Sequence, residues 1–283
     1  MPKIFLTIII LMRLNAPTGY LLVFFPALFG LFLAYEQPSD LVYAPIFFMG
    51  SVLVRSAGCI INDFFDREFD KKVKRTKNRP LASNKISKKL AVFILLLLLG
   101  MSSLILLSLT VTAICMGIIA FCMIALYPLM KRFTYFPQVF LGLTFNLGCL
   151  IAYSAIKDDI SKNAVLMYLA CGFWTFGYDT IYAFMDVRDD KKAGVKSSAL
   201  FLEHRNYKLW IAVSYVCFMF LYMIVNLSSK NYIGISSVVI AMPMLFWQVK
   251  TLGITNVANC FERFKSNIYV GAIMSFSMFL GVL

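Results

Sequence analysis

Leu90-Ala91-Val92-Phe93-Ile94-Leu95-Leu96-Leu97-Leu98-Leu99-Gly100-Met101-Ser102-Ser103-Leu104-Ile105-Leu106-Leu107-Ser108 contains no charged side chain. As a helix it is long enough to cross the ~30 Å hydrocarbon core of a bilayer. Comparable runs recur along the chain, and spans are predicted near 15–35, 42–62, 90–108, 110–127, 137–156, 164–186, 209–226, 232–250 and 266–283. They leave no stretch long enough for a separate soluble domain, so 1–283 reads as one transmembrane domain. The composition, 60% apolar and 14% charged, excludes an ordinary soluble fold. Ser108, Thr110 and Thr112 mark a tight turn between the third and fourth spans. Lys3 and the lack of a small-residue cleavage site make the first residues a lead-in to a retained helix and not a cleaved signal.

The net charge of +13 raises the question of nucleic acid, but its placement answers otherwise. With the N-terminus inside, the inner segments hold Lys3, Arg13, ten basic residues from Arg67 to Lys89, Lys131, Arg132, six from Arg188 to Lys208, Lys250, Arg263 and Lys265. The outer side holds only Lys157, Lys162 and Lys230. That asymmetry is the positive-inside rule and requires no nucleic-acid partner. The seven cysteines have no CxxC spacing and read as packing residues. His204 is the only histidine, so any metal must be held by oxygen.

Eight of the fourteen acidic residues fall in two short stretches at the inner ends of the second and sixth spans: Asp63, Asp66, Glu68 and Asp70, then Asp179, Asp186, Asp189 and Asp190. Four-residue spacing on a helix predicts one oxygen-rich stripe of Asn62, Asp66 and Asp70 and another of Asp179, Asp186 and Asp190. One such cluster could be a solvated helix end paired with nearby lysines. Two of them, with like charges at i and i+4 beside a membrane, argue for cations between the helices. The stretches also resemble each other: Asp66-x-x-x-Asp70-Lys71-Lys72 and Asp186-x-x-x-Asp190-Lys191-Lys192 lie 120 residues apart. This predicts two repeated four-helix units plus a ninth helix, with the acidic stripes facing across one cavity. Paired carboxylates suit Mg²⁺, which shares its coordination with substrate phosphates. The loop Lys74-Arg75-Thr76-Lys77-Asn78-Arg79-Pro80 is a topology signal and also a source of guanidinium forks for phosphate, with Arg75 and Arg79 the candidates.

At these residues the chain resembles the UbiA superfamily of membrane prenyltransferases. Arg55 through Asp63, running into Lys74 through Leu81, looks like its first signature, N-x-x-x-D-x-x-x-D followed by a basic R-P loop. Tyr178 through Asp190 resembles the second signature in the form seen in 4-hydroxybenzoate polyprenyltransferases. Arg13 through Gly19 and Tyr127 through Arg132 also match, and the similarity covers essentially the whole chain. A longer N-terminal segment found in some relatives is expected to be absent.

The resemblance implies an all-α integral membrane fold of about nine helices around a central cavity. It further implies Mg²⁺-dependent transfer of a polyprenyl group from polyprenyl diphosphate to 4-hydroxybenzoate, ortho to its hydroxyl, in ubiquinone biosynthesis. By similarity Asn62, Asp66, Asp70, Asp186 and Asp190 hold metal and diphosphate, the four aspartates being catalytic. Arg75, Arg79, Tyr127 and Lys131 would contact the diphosphate, and Asp179 joins the substrate-binding set. Arg55, seven residues before Asn62 on the same helix face and about 10 Å deeper, would fork onto the acceptor carboxylate, with Arg132 its rival. The resemblance places the protein in a bacterial inner membrane with the motif loops towards the cytoplasm. Other readings are a relative acting on a naphthoate, homogentisate or haem, a CDP-alcohol phosphotransferase, which would need an Asp-Gly pair this chain lacks, and a cation transporter.

Overall fold

The computed structural model describes residues 2–71, 73 and 75–283, and every regular element among them is helical. A short helix α1 (Pro2–Leu11) precedes α2 (Thr18–Ala34), and a 3₁₀ turn (Pro38–Val42) leads into α3 (Tyr43–Phe65). The short α4 (Arg67–Asp70), then α5 (Lys88–Leu107) and α6 (Val111–Phe133) complete the first half. The second half runs α7 (Pro137–Phe145), α8 (Leu147–Lys157), α9 (Lys162–Ala183), α10 (Val187–Ala193), α11 (Ser198–Leu202), α12 (Tyr207–Ser228), α13 (Tyr232–Ser236) and α14 (Val238–Thr251). Finally α15 covers Val257–Leu280.

These helices coincide with the predicted spans, and the protein is a multi-pass membrane protein. Among the described residues, six helical stretches are long and apolar enough on their own to cross a bilayer. The other helices at predicted positions are α2, which has 17 residues, and α9 and α15, which carry charged residues within their length. The predicted turn between the third and fourth spans is present: the Thr110 hydroxyl accepts from the Ala113 amide and caps α6, as an N-cap threonine should.

The span limits differ where polar groups find partners. α6 continues past 127 to Phe133, with Lys131 and Arg132 in its last turn, where cations suit the helix dipole. α15 begins at Val257, not 266, because the Arg263 guanidinium bonds the Thr251 hydroxyl at 3.0 and 3.2 Å and stacks 4.6 Å from the Trp247 ring. The fifth span is broken at Asn146 and the eighth at Ser237. α9 stops at Ala183, short of the predicted 186.

Packing repeats between the halves. α3 packs on α2 and α5; correspondingly α9 packs on α7 and α12, while α15 lies against α2 and α14. α2 meets α8 so closely that a Cβ on Gly30 would lie 1.9 Å from the Cys149 carbonyl oxygen. The main buried cluster mixes aliphatic and aromatic side chains, with Trp174 stacked on Phe218 at 5.2 Å and its indole N–H donating to Asn267. α5 turns Phe93, Leu96, Leu97 and Leu104 outward, as lipid-facing positions require.

Candidate active site

The site begins where two long helices end in the same way. α3 stops at Phe65, and Asp66 has φ −93°, ψ 4°; its carbonyl accepts from the amides of Phe69 and Asp70 at 2.9 and 2.7 Å. In the second motif Asp186 has φ −108°, ψ 0°, and its carbonyl accepts from Asp189 and Asp190 at 2.9 and 2.8 Å. The predicted duplication therefore extends to the backbone turn.

That turn corrects the two predicted stripes, neither of which is a continuous helix face. Asn62 and Asp66 keep the i, i+4 relation, with the Asn62 amide donating to Asp66 Oδ2 at 3.0 Å. Asp70 lies on the next short helix, buried, and accepts from Arg79 Nη1 at 2.9 and 3.1 Å. Asp179 stays within α9, while Asp186 and Asp190 lie beyond its end. Breaking the helix separates carboxylates that would repel one another along one face.

Basic groups join the two turns. Arg75 donates from Nη2 to Asp186 and from Nη1 to the Tyr182 hydroxyl at 3.0 Å. Lys131 Nζ, brought in by the extended α6, is 3.9 Å from Asp66 Oδ2. Burial pushes the Asp190 carboxyl up to about 6, opposed by Lys131. Burial likewise raises Asp186 against the pull of Arg75, and Asp70 against that of Arg79. Lys72 and Lys74 lie outside the described residues.

Behind this layer is an apolar chamber of about 360 Å³ between α2, α3, α5, α6, α7 and α8. Among the described residues, Arg55 is the one charged residue in its lining. Among the described residues its Nε is buried without a hydrogen-bond partner, and its guanidinium lies 5.5 Å from the Phe145 ring centroid. Arg132 is exposed, one residue past Lys131 in the last turn of α6.

Sequence reasoning gave no role to Asp63 and Arg13. Asp63 is 2% exposed and lies between Arg13 Nη2, 2.9 Å from both its oxygens, and Arg79 Nη1 at 3.2 Å. An acidic residue in the last turn of an apolar span, needing a cation, was the available signal.

No group of three or more His, Cys, Asp or Glu side chains is gathered into a metal cage among the described residues. The donors nonetheless fit Mg²⁺, an ion that takes one or two carboxylates and completes its shell with water and phosphate. Asn62, Asp66, Asp186 and Asp190 offer only hard oxygen as ligand, with Lys131 and Arg75 beside them to share a polyanion.

Helices of membrane-spanning length, two matching acidic turns linked by a guanidinium, and an apolar chamber beneath them define a membrane-embedded enzyme for an amphipathic phosphate ester. The UbiA prenyltransferase family model matches residues 23–279. The chain is 40% identical over 271 residues to the mitochondrial 4-hydroxybenzoate polyprenyltransferase of Caenorhabditis elegans, covering 93% of this chain and 75% of that one. It is 36% identical over 277 residues to the 4-hydroxybenzoate octaprenyltransferase of Blochmanniella pennsylvanica, covering 96% and 93%. The fold matches a UbiA homolog from Archaeoglobus fulgidus bound to GPP and Mg²⁺, with TM-score 0.74, 17% identity and coverage of 98% and 99%. This chain belongs to the UbiA prenyltransferase family.

Proposed function

We propose that the chain transfers a polyprenyl group from polyprenyl diphosphate to the ring of 4-hydroxybenzoate, ortho to the hydroxyl, and releases diphosphate, as a step of ubiquinone biosynthesis. Likeness to 4-hydroxybenzoate prenyltransferases over almost the whole chain carries this reading. The inner membrane of a bacterium, with the motif loops on the cytoplasmic face, agrees with the distribution of basic residues.

Asn62, Asp66, Asp186 and Asp190, with Asp70 behind them, would hold Mg²⁺, which supplies positive charge to the departing diphosphate. Lys131 and Arg75 bind phosphate oxygens, while Arg79 is committed to Asp70 and Asp63. The Tyr182 hydroxyl accepts from Arg75, and Tyr127 lies one helical turn before Lys131 on α6. The allylic C–O bond breaks with its electron pair leaving on diphosphate, the ortho carbon forms the new C–C bond, and loss of its proton restores the ring. The chamber takes the isoprenoid tail and keeps water from the cation. Arg55 meets the acceptor carboxylate as a bidentate fork, and Asp179 orients the acceptor near it.

Membranes containing the protein, given labelled 4-hydroxybenzoate, Mg²⁺ and prenyl diphosphates of several lengths, should yield prenylated hydroxybenzoate by mass. Prenylation of a naphthoate or homogentisate instead would overturn the acceptor assignment.

A further inference from the structure

The turn after α1 is bonded directly to the first acidic motif. Arg13 has φ +57°, a left-handed conformation costly for a residue with a side chain. Its guanidinium does two things there: Nη1 donates to the Ile10 carbonyl at 2.9 Å, near the end of α1, and Nη2 clamps both oxygens of Asp63. The Ser56 hydroxyl donates to the Met12 carbonyl at 3.0 Å, tying the same turn to α3. Asp63 then accepts from Arg79 Nη1, and that same nitrogen donates to both oxygens of Asp70. Charges alternate along Arg13–Asp63–Arg79–Asp70 and sum to zero. Removing one member leaves a neighbour in low-dielectric surroundings without its partner.

We propose that Arg13 is a positioning residue for the transferase site, acting through Asp63 on Arg79 and so fixing the Asp70 carboxylate. This rests on the reading of Asp70 as a metal and diphosphate residue. Asp63 serves as the fulcrum: with Arg13 present its oxygens are shared, and Arg79 stays between two acids. Without Arg13, Asp63 draws Arg79 to itself and Asp70 is released; without the Asp63 charge, Arg79 loses its second anchor and no longer holds Asp70 in place. The N-terminal turn thereby belongs to the catalytic apparatus while touching no substrate.

The test is Mn²⁺ binding in the presence of inorganic diphosphate, followed by electron paramagnetic resonance on purified full-length protein, together with kinetics. Arg13→Gln and Asp63→Asn should each weaken Mn²⁺ binding at least tenfold and raise KM for prenyl diphosphate, with KM for hydroxybenzoate unchanged. Arg13→Lys should recover part, since one ammonium cannot serve both Ile10 and Asp63. The double variant should be no worse than the poorer single, because members of one chain do not act independently. Fold-losses that multiply in the double variant, or lower thermal stability with Mn²⁺ affinity within twofold of wild type in every variant, would overturn the proposal. Should Arg13→Gln fail to fold, Arg13→Lys and Asp63→Asn decide it alone. Wild-type protein that binds no Mn²⁺ with diphosphate overturns the site reading and this proposal together; wild-type binding with unaltered variants overturns this proposal only.

Discussion

Arg75 and Asp186 are 111 residues apart in the chain and hydrogen-bonded to each other, so the loop after the first acidic turn is fastened to the second. The same guanidinium holds Tyr182. Arg75→Gln should therefore lower kcat/KM for prenyl diphosphate on the order of a hundredfold, a charge-assisted contact on each side being lost. Arg75→Lys should fall between, since a point charge reproduces one contact of the fork. Steady-state kinetics at saturating hydroxybenzoate measures both, and near-wild-type Arg75→Gln would remove Arg75 from the diphosphate set.

Each of Asp66→Ala, Asp70→Ala, Asp186→Ala and Asp190→Ala should abolish turnover in a protein that is still folded and inserted. EDTA should do the same to the wild type, with recovery on adding Mg²⁺. If two of the four variants turn over robustly, the metal clamp is wrong.

Among the described residues, Arg55 is the one charged member of a mostly apolar wall. Arg55→Leu should raise KM for hydroxybenzoate tenfold or more and leave KM for prenyl diphosphate nearly unchanged, with Arg55→Lys recovering part. Unchanged hydroxybenzoate kinetics in well-expressed Arg55→Leu would move the acceptor carboxylate elsewhere.

At Gly30 the clash partner is backbone, which cannot rotate away. Gly30→Ala should force α2 and α8 apart and destabilise the protein by about 1–3 kcal/mol, the usual cost of overpacking. A lower midpoint in a thermal unfolding series in detergent reads this directly, whereas an unchanged midpoint would mean that the two helices are free to separate.

Apolar runs made the helices readable, because a bilayer imposes a length rule that acts on each segment alone. The acids were readable as two clusters because so few others exist to dilute them. Their arrangement was not. Four-residue spacing predicts a straight stripe, and only tertiary partners such as Arg79 and Arg75 reveal that the chain turns at Asp66 and Asp186. The Arg13–Asp63 contact spans 50 residues and involves a left-handed arginine, neither of which a local pattern encodes. Lys131 reached the site because α6 runs on to Phe133, a boundary that apolar periodicity places too early.

The matching turns at Asp66 and Asp186 are copies in backbone but not in side chain. With the 120-residue offset, Asn62 corresponds to Tyr182, Arg75 to Val195 and Arg79 to Ala199. A ligand with two phosphoryl groups would thus meet a repeated backbone frame that cannot tell its ends apart, populated by residues that can. Polarity in the site, the choice of which end of the diphosphate faces the chamber, comes from what the two halves do not share.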